Sequence, residues 1–179
     1  MLEINNCCIV VVDVQGKLAQ LMHDKENLFA NIQILINSAR ILDIPIIWCQ
    51  QYPDGLGPTV PEIARLLEDN EPIDKVSFSC CGDEKFNNQL GKLARQQILL
   101  CGIETHVCIY QTALGLTAKS CHVEVIADAV SSRTLENKEI ALRKMAAEGI
   151  KITSVEMTLF ELLRTAEHPK FKQIAKLVK

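Results

Sequence analysis

A chain of 179 residues is long enough to bury one sizeable core, and short for two domains. Its residues are 48% hydrophobic and 23% charged, the balance of a globular protein, and 19 basic against 22 acidic side chains leave a net charge of -3. The charges are mixed along the chain, with no basic patch or long like-charge run, which argues against nucleic acid or a membrane surface as partner.

The first apolar run, Cys7-Cys8-Ile9-Val10-Val11-Val12, is continuous and β-branched, as in a strand buried on both faces. It ends at Asp13 and no basic region precedes it. Neither a signal peptide nor a membrane span is expected, and the expected compartment is the cytoplasm. Residues 26–42 carry Leu28, Ile32, Leu35, Ile36 and Ala39 at helical spacing. Ile44 to Cys49 reads as a second buried strand. Residues 61–69 read as a short helix opened by Pro61, and residues 72–76 as a short third strand. A helix is expected over 84–95, a strand over Gln97–Cys101, a helix over Thr105–Lys119 and a strand over His122–Ala127. Another helix covers 134–148 and stops at Gly149. Ile150–Thr153 is the last strand, followed by a helix over 155–165 and an amphipathic segment over 169–178.

This alternation implies a three-layer α/β sandwich: one domain over 1–179 with a six-stranded, mainly parallel, Rossmann-like sheet. Right-handed crossovers put the C-terminal ends of parallel strands on one edge, and open sheets bind ligands outside that edge. Residues just after strands therefore matter most.

Eight cysteines occur, at 7, 8, 49, 80, 81, 101, 108 and 121. There is no Cys-x-x-Cys pair, and several lie in apolar runs, where a reduced cysteine acts as a small hydrophobe. Cys108 differs. It follows a strand in Gly102-Ile103-Glu104-Thr105-His106-Val107-Cys108. With Thr105 as N-cap it would be the third residue of a helix, where free N–H groups and the helix dipole lower a thiol pKa and can hold an oxyanion. His106 is two positions away and would face elsewhere, in a supporting role. Asp13 after the first strand is a candidate base, although alone it reads as a helix or turn cap. Lys75, in Ile73-Asp74-Lys75-Val76, would point into the cleft as a charged partner; alone it reads as a surface lysine. The loop Gln50-Gln51-Tyr52-Pro53-Asp54-Gly55-Leu56-Gly57-Pro58 could line a pocket or be an ordinary surface loop. No Gly-x-Gly-x-x-Gly or Walker loop is present, so no dinucleotide or nucleotide cofactor is expected.

These residues together resemble the isochorismatase-like cysteine hydrolases, which include nicotinamidases and N-carbamoylsarcosine amidohydrolase. The likeness runs from Val10-Val11-Val12-Asp13-Val14-Gln15 to the segment after Gly149. Its central stretch, with Gln111-Thr112-Ala113-Leu114 and Ala127-Asp128-Ala129-Val130-Ser131-Ser132-Arg133, looks closest to the isochorismatase-domain-containing proteins. The resemblance implies an Asp13–Lys75–Cys108 triad, a non-proline cis peptide at Ile103–Glu104, and an oxyanion hole from the N–H groups of Glu104 and Cys108. Gln15, Gln50, Tyr52, Phe78 and Thr105 are the expected pocket residues. Nicotinamidases bind a metal through Asp and His residues after the second strand. Here that stretch is Gln50-Gln51-Tyr52, so no metal is expected. The expected activity is hydrolysis of a small amide or related molecule through a covalent cysteine intermediate, in a homo-oligomer. Two other readings stay open: a non-enzymatic scaffold that keeps the fold, and a redox-sensing thiol protein with Cys80 or Cys81 resolving Cys108.

Overall fold

The computed structural model describes residues 1–179. Six parallel strands form one sheet: β1 (Cys7–Val12), β2 (Ile46–Gln51), β3 (Ile73–Lys75), β4 (Gln97–Ile103), β5 (His122–Ser131) and β6 (Lys151–Thr153). Their spatial order is β3-β2-β1-β4-β5-β6. The chain builds outward from β1 in one direction, then returns and builds in the other from β4. Strand order therefore reverses between β1 and β4, the place where doubly wound sheets open a crevice.

Nine helices cover the two faces: α1 (Gly16–Gln20), α2 (Lys25–Leu42), α3 (Pro53–Leu56), α4 (Pro61–Ala64), α5 (Glu84–Leu93), α6 (Tyr110–Ala118), α7 (Leu135–Ala147), α8 (Val155–Leu163) and α9 (Phe171–Leu177). Period-two alternation splits each central strand between two cores. Cys7, Ile9 and Val11 of β1, with Leu99, Cys101 and Ile103 of β4, pack under α2, α8 and α9. Cys8, Val10 and Val12, with Ile98 and Leu100, pack under α5, α6 and α7. Each central strand thus buries apolar side chains on both faces, which is why these runs are continuously apolar.

Side-chain caps fix several helix starts. Asp83 accepts from the Phe86 N–H at 3.1 Å, Thr134 from Asn137 at 3.2 Å and Ser154 from Met157 at 3.3 Å. The C-terminal segment packs on its own domain: Ile174 is fully buried in the α2 core and Phe171 meets Phe160 with ring centroids 6.2 Å apart. It is not an open face for a neighbour.

Several boundaries depart from the sequence expectations. The sheet is wholly parallel rather than mainly so. β2 runs on to Gln51, so Gln50 and Gln51 are strand residues, not loop. The helix expected over 61–69 ends at Ala64. α1 and α3 fall in stretches where no helix is expected. The largest change lies after β4, where Thr105–Ile109 is one π-helical turn and the α-helix begins only at Tyr110.

Candidate active site

Three strand ends converge at the reversal of strand order. Asp13 follows β1 directly, with a left-handed backbone (φ 57°), and its N–H donates to the Cys49 carbonyl of β2 at 3.0 Å. A short polar residue tolerates that conformation better than most. Lys75 closes β3, two strands away from β1. Strands lie about 4.8 Å apart, so a group on β3 must span about 10 Å to reach β1; the long lysine stem does so. Lys75 Nζ donates to Asp13 Oδ2 and to Gln51 Oε1, each at 2.7 Å. The carbonyls of Ser77 and Phe78 accept from it at 3.2 Å. The Lys75 side chain has no exposed surface and that of Asp13 only 3%. Four acceptors surround three N–H donors, so the buried ammonium is fully satisfied.

β1 and β4 approach closely here. Gly102 has φ +117°, and a Cβ at that position would stand 2.0 Å from the Val12 carbonyl oxygen. Only glycine fits, and its backbone leads straight into the next segment. The Ile103–Glu104 peptide is cis. The Glu104 carbonyl accepts from Val107 at 3.1 Å and from Ile109 at 3.2 Å, which closes the π-helical turn carrying Cys108. Two contacts tie this turn to the end of β5. Glu104 Oε1 accepts from the Arg133 N–H at 3.2 Å and from Arg133 Nε at 3.1 Å. His106 Nδ1 lies 3.0 Å from Ser132 Oγ. His106 thus supports the turn and is not the partner of the thiol.

The Cys108 thiol faces Asp13, and each shifts the other's titration through a side-chain contact. That contact falls outside the geometry of a completed hydrogen bond, which leaves Asp13 Oδ1 buried and unpartnered. Burial and the Asp13 charge push the Cys108 thiol well above the usual cysteine range, with Lys75 pulling the other way. This corrects the expectation of a thiol activated by a helix end. Glu104, not Thr105, precedes the turn as its cap; the turn is π-helical; and burial, followed by the Asp13 charge, pushes the thiol up. Burial also pushes the Asp13 carboxyl up, against the pull of Lys75, while Asp13 holds the Lys75 ammonium protonated against burial. Burial thus favours the neutral form of both the Cys108 thiol and the Asp13 carboxyl, and Lys75 opposes it at each.

A cavity of about 100 Å³ opens above these groups. Asp13, Gln51, Glu104 and Cys108 form its polar floor; Leu18, Leu56, Phe78, Ile103 and Val107 form its apolar walls. Of the expected pocket residues, only Phe78 is on this wall. Gln15 is fully buried and clips loops together, donating to the Gln51 and Gly57 carbonyls and accepting from the Gln51 N–H. Gln50 is used by Thr59 and Asp74. Tyr52 lies outside, its ring within 2.5 Å of where a Cβ on Gly55 would stand. Thr105 is fully buried beneath the turn, with its hydroxyl unpartnered. The sequence reading missed Leu18 and Val107; Gln51 and Leu56 lie in the stretch expected to line a pocket or to be surface loop, and were not singled out. Gln51 becomes legible only when β2 is extended past Cys49, since alternation then sets Gln50 and Gln51 on opposite faces. A larger polar hollow of about 200 Å³ lies beside α2 and β5, lined by Asp24, Asn27 and Lys138 among others, and the Ser131 hydroxyl there is spent on the His23 carbonyl at 2.6 Å.

All eight cysteines are free. No helix is long and apolar enough to cross a membrane. The model of the isochorismatase domain matches residues 7–157. Isochorismatase domain-containing protein 2 of Danio rerio is 37% identical, over 95% of this chain and 85% of its own length. The secreted isochorismatase effector Isc1 of Phytophthora sojae is 38% identical, over 96% of this chain and 83% of its own. Among solved structures, the MAR1 ribonuclease of Caenorhabditis elegans superposes with a TM-score of 0.92 at 38% identity, over 99% of this chain and 91% of that one.

Proposed function

Because the chain belongs to the isochorismatase-domain family of hydrolases, we propose that it is a cysteine hydrolase of a small amide or related carbonyl compound, with Asp13, Lys75 and Cys108 as its working residues. The observation that carries this reading is the buried Lys75–Asp13 pair at 2.7 Å, under a cavity whose floor also holds Cys108.

Asp13 accepts the thiol proton as Sγ attacks the carbonyl carbon, so charge separates only when substrate is in place. The Glu104 and Cys108 N–H groups hold the developing oxyanion. The proton on Asp13 passes to the leaving nitrogen as the C–N bond breaks, which leaves a thioester on Cys108. Water, deprotonated by Asp13, then hydrolyses the thioester and returns the thiol. Lys75 keeps Asp13 ionised and oriented through the cycle.

A nuclease reading, which the name of the nematode structure raises, calls for cationic groups to hold phosphate. The cavity wall has none, and Lys75 is sealed beneath it. Eight free thiols support a reducing compartment such as the cytoplasm. Self-association stays part of the proposal, through faces other than α9. The test is ammonia release from a panel of small amides by wild type and Cys108→Ala in parallel. Turnover by the wild type alone supports the reading. Equal turnover by both removes the cysteine from the mechanism, and no turnover by either favours a non-enzymatic scaffold.

A further inference from the structure

The cavity wall specifies more than its nucleophile, because each polar side chain on it other than Cys108 already has a partner, and the unpartnered Asp13 Oδ1 is reserved for the thiol proton. Asp13 is paired with Lys75 and faces the thiol. Gln51 uses both ends of its amide, accepting from Lys75 through Oε1 and donating to the Val76 carbonyl through Nε2 at 2.6 Å. Glu104 is neutralised by Arg133 from outside the cavity. Lys75 spends its ammonium on four acceptors and reaches no solvent, so it offers nothing to a substrate anion. What remains free to touch the acyl side of a substrate is Leu18, Leu56, Phe78, Ile103 and Val107. At about 100 Å³ the space is also well below the roughly 300–1,000 Å³ of sites for drug-sized ligands.

We propose that the substrate of this site carries a short, uncharged, apolar acyl group. The inference rests on the cysteine-hydrolase reading and adds the chemistry of the bound end. A carboxylate or ammonium on that end would shed its water against leucine, valine and phenylalanine with no partner to replace it. The engaged wall rejects charge of either sign, whereas a site built for an acid or an amine keeps a free counter-charge.

Two experiments test this. The first maps Cys108 modification by three thiosulfonates of similar length: propyl, 2-aminoethyl and 2-sulfonatoethyl methanethiosulfonate. Each forms a disulfide with Sγ and expels methanesulfinate, and each rate is divided by that with glutathione. The neutral reagent is expected to lead both charged ones by about tenfold or more. The second compares kcat/KM for butyramide, 4-aminobutyramide and succinamate, which differ only at the far end. Butyramide is expected to lead by about 100-fold or more. Leu56→Lys is expected to narrow the gap against the anionic members of both series, and Phe78→Lys at the half-exposed rim is the second variant should the first fold poorly. Equal or faster reaction of either charged series overturns the inference and leaves the hydrolase reading intact. A Cys108 that none of the reagents reaches, with no amide turned over, overturns the hydrolase reading itself.

Discussion

Replacing Lys75 by Met keeps the length of the buried stem and removes its charge. The partner Asp13 carboxylate is then stranded, with a side chain only 3% exposed, a neighbouring Gln51 that no longer receives a proton, and no solvent to turn to. Breaking a buried ion pair from one side costs about 3–5 kcal/mol. For a chain of this size, each kcal/mol is worth about 2–4 °C in Tm, so the expected drop at pH 7 is roughly 6–20 °C. Asp13→Asn strands the lysine instead and costs a similar amount. The double variant Asp13→Asn/Lys75→Met removes both charges and is expected to recover at least half of the summed loss, a coupling of about 3 kcal/mol or more. The penalty also depends on pH in a defined direction. Burial pushes the Asp13 pKa up and Lys75 opposes that push, so the variant raises it further. A carboxyl whose pKa is higher folded than unfolded stabilises the fold below its unfolded value, and that stabilisation is lost as pH rises through the folded one. The Lys75→Met deficit is therefore largest at neutral pH and shrinks on acidification toward about pH 4. Thermal melts of all four proteins at both pH values read this out. A Lys75→Met protein within about 2 °C of wild type at pH 7, or strictly additive single losses, would refute the buried-pair argument.

Other expectations follow from the same geometry. Asp13 takes the thiol proton in the proposed mechanism, so Asp13→Asn is expected to slow labelling of Cys108 by a neutral thiosulfonate at pH 8 and to lower amide turnover about 100-fold or more; unchanged labelling and turnover contradict the assignment of Asp13 as the base. Gly102→Ala sets a Cβ against the Val12 carbonyl at a backbone angle that side chains rarely adopt, so it is expected to cost about 4 kcal/mol or more or to abolish soluble expression. Arg133→Ala breaks an ion pair whose arginine is 57% exposed, so stability should change by less than about 1 kcal/mol. Because Arg133 also fixes Glu104, whose amide is proposed to hold the oxyanion, kcat is expected to fall severalfold with little change in KM, and Arg133→Lys to restore part of it.

The fold was largely readable because its signals are local and strong. The runs Cys7–Val12 and Gln97–Cys101 are continuously apolar since alternate residues feed two cores, and Asp83, Thr134 and Ser154 mark helix starts by capping chemistry. The candidate site was legible as a meeting of strand-end residues, since a doubly wound sheet brings such ends together. Its chemistry was less so. An isolated Lys75 reads as surface, and only the order β3-β2-β1 puts its stem across β2 toward Asp13. The helix-end argument for Cys108 failed because a π-helical turn stands where an α-helix was expected, and because burial is a property of the assembled fold. The pocket list failed for Gln15 and Gln50 because their partners, Gly57, Thr59 and Asp74, are distant in sequence.

The covalent step is the centre of the account, and mass analysis of the Cys108 peptide during butyramide turnover tests it most directly. The account predicts a butyryl mass increment on Cys108 that appears before product builds up, is released by hydroxylamine as the hydroxamate, and is absent in Cys108→Ala. Hydrolysis of butyramide by Cys108→Ala at the wild-type rate, or an acyl group carried on a different residue, would contradict it.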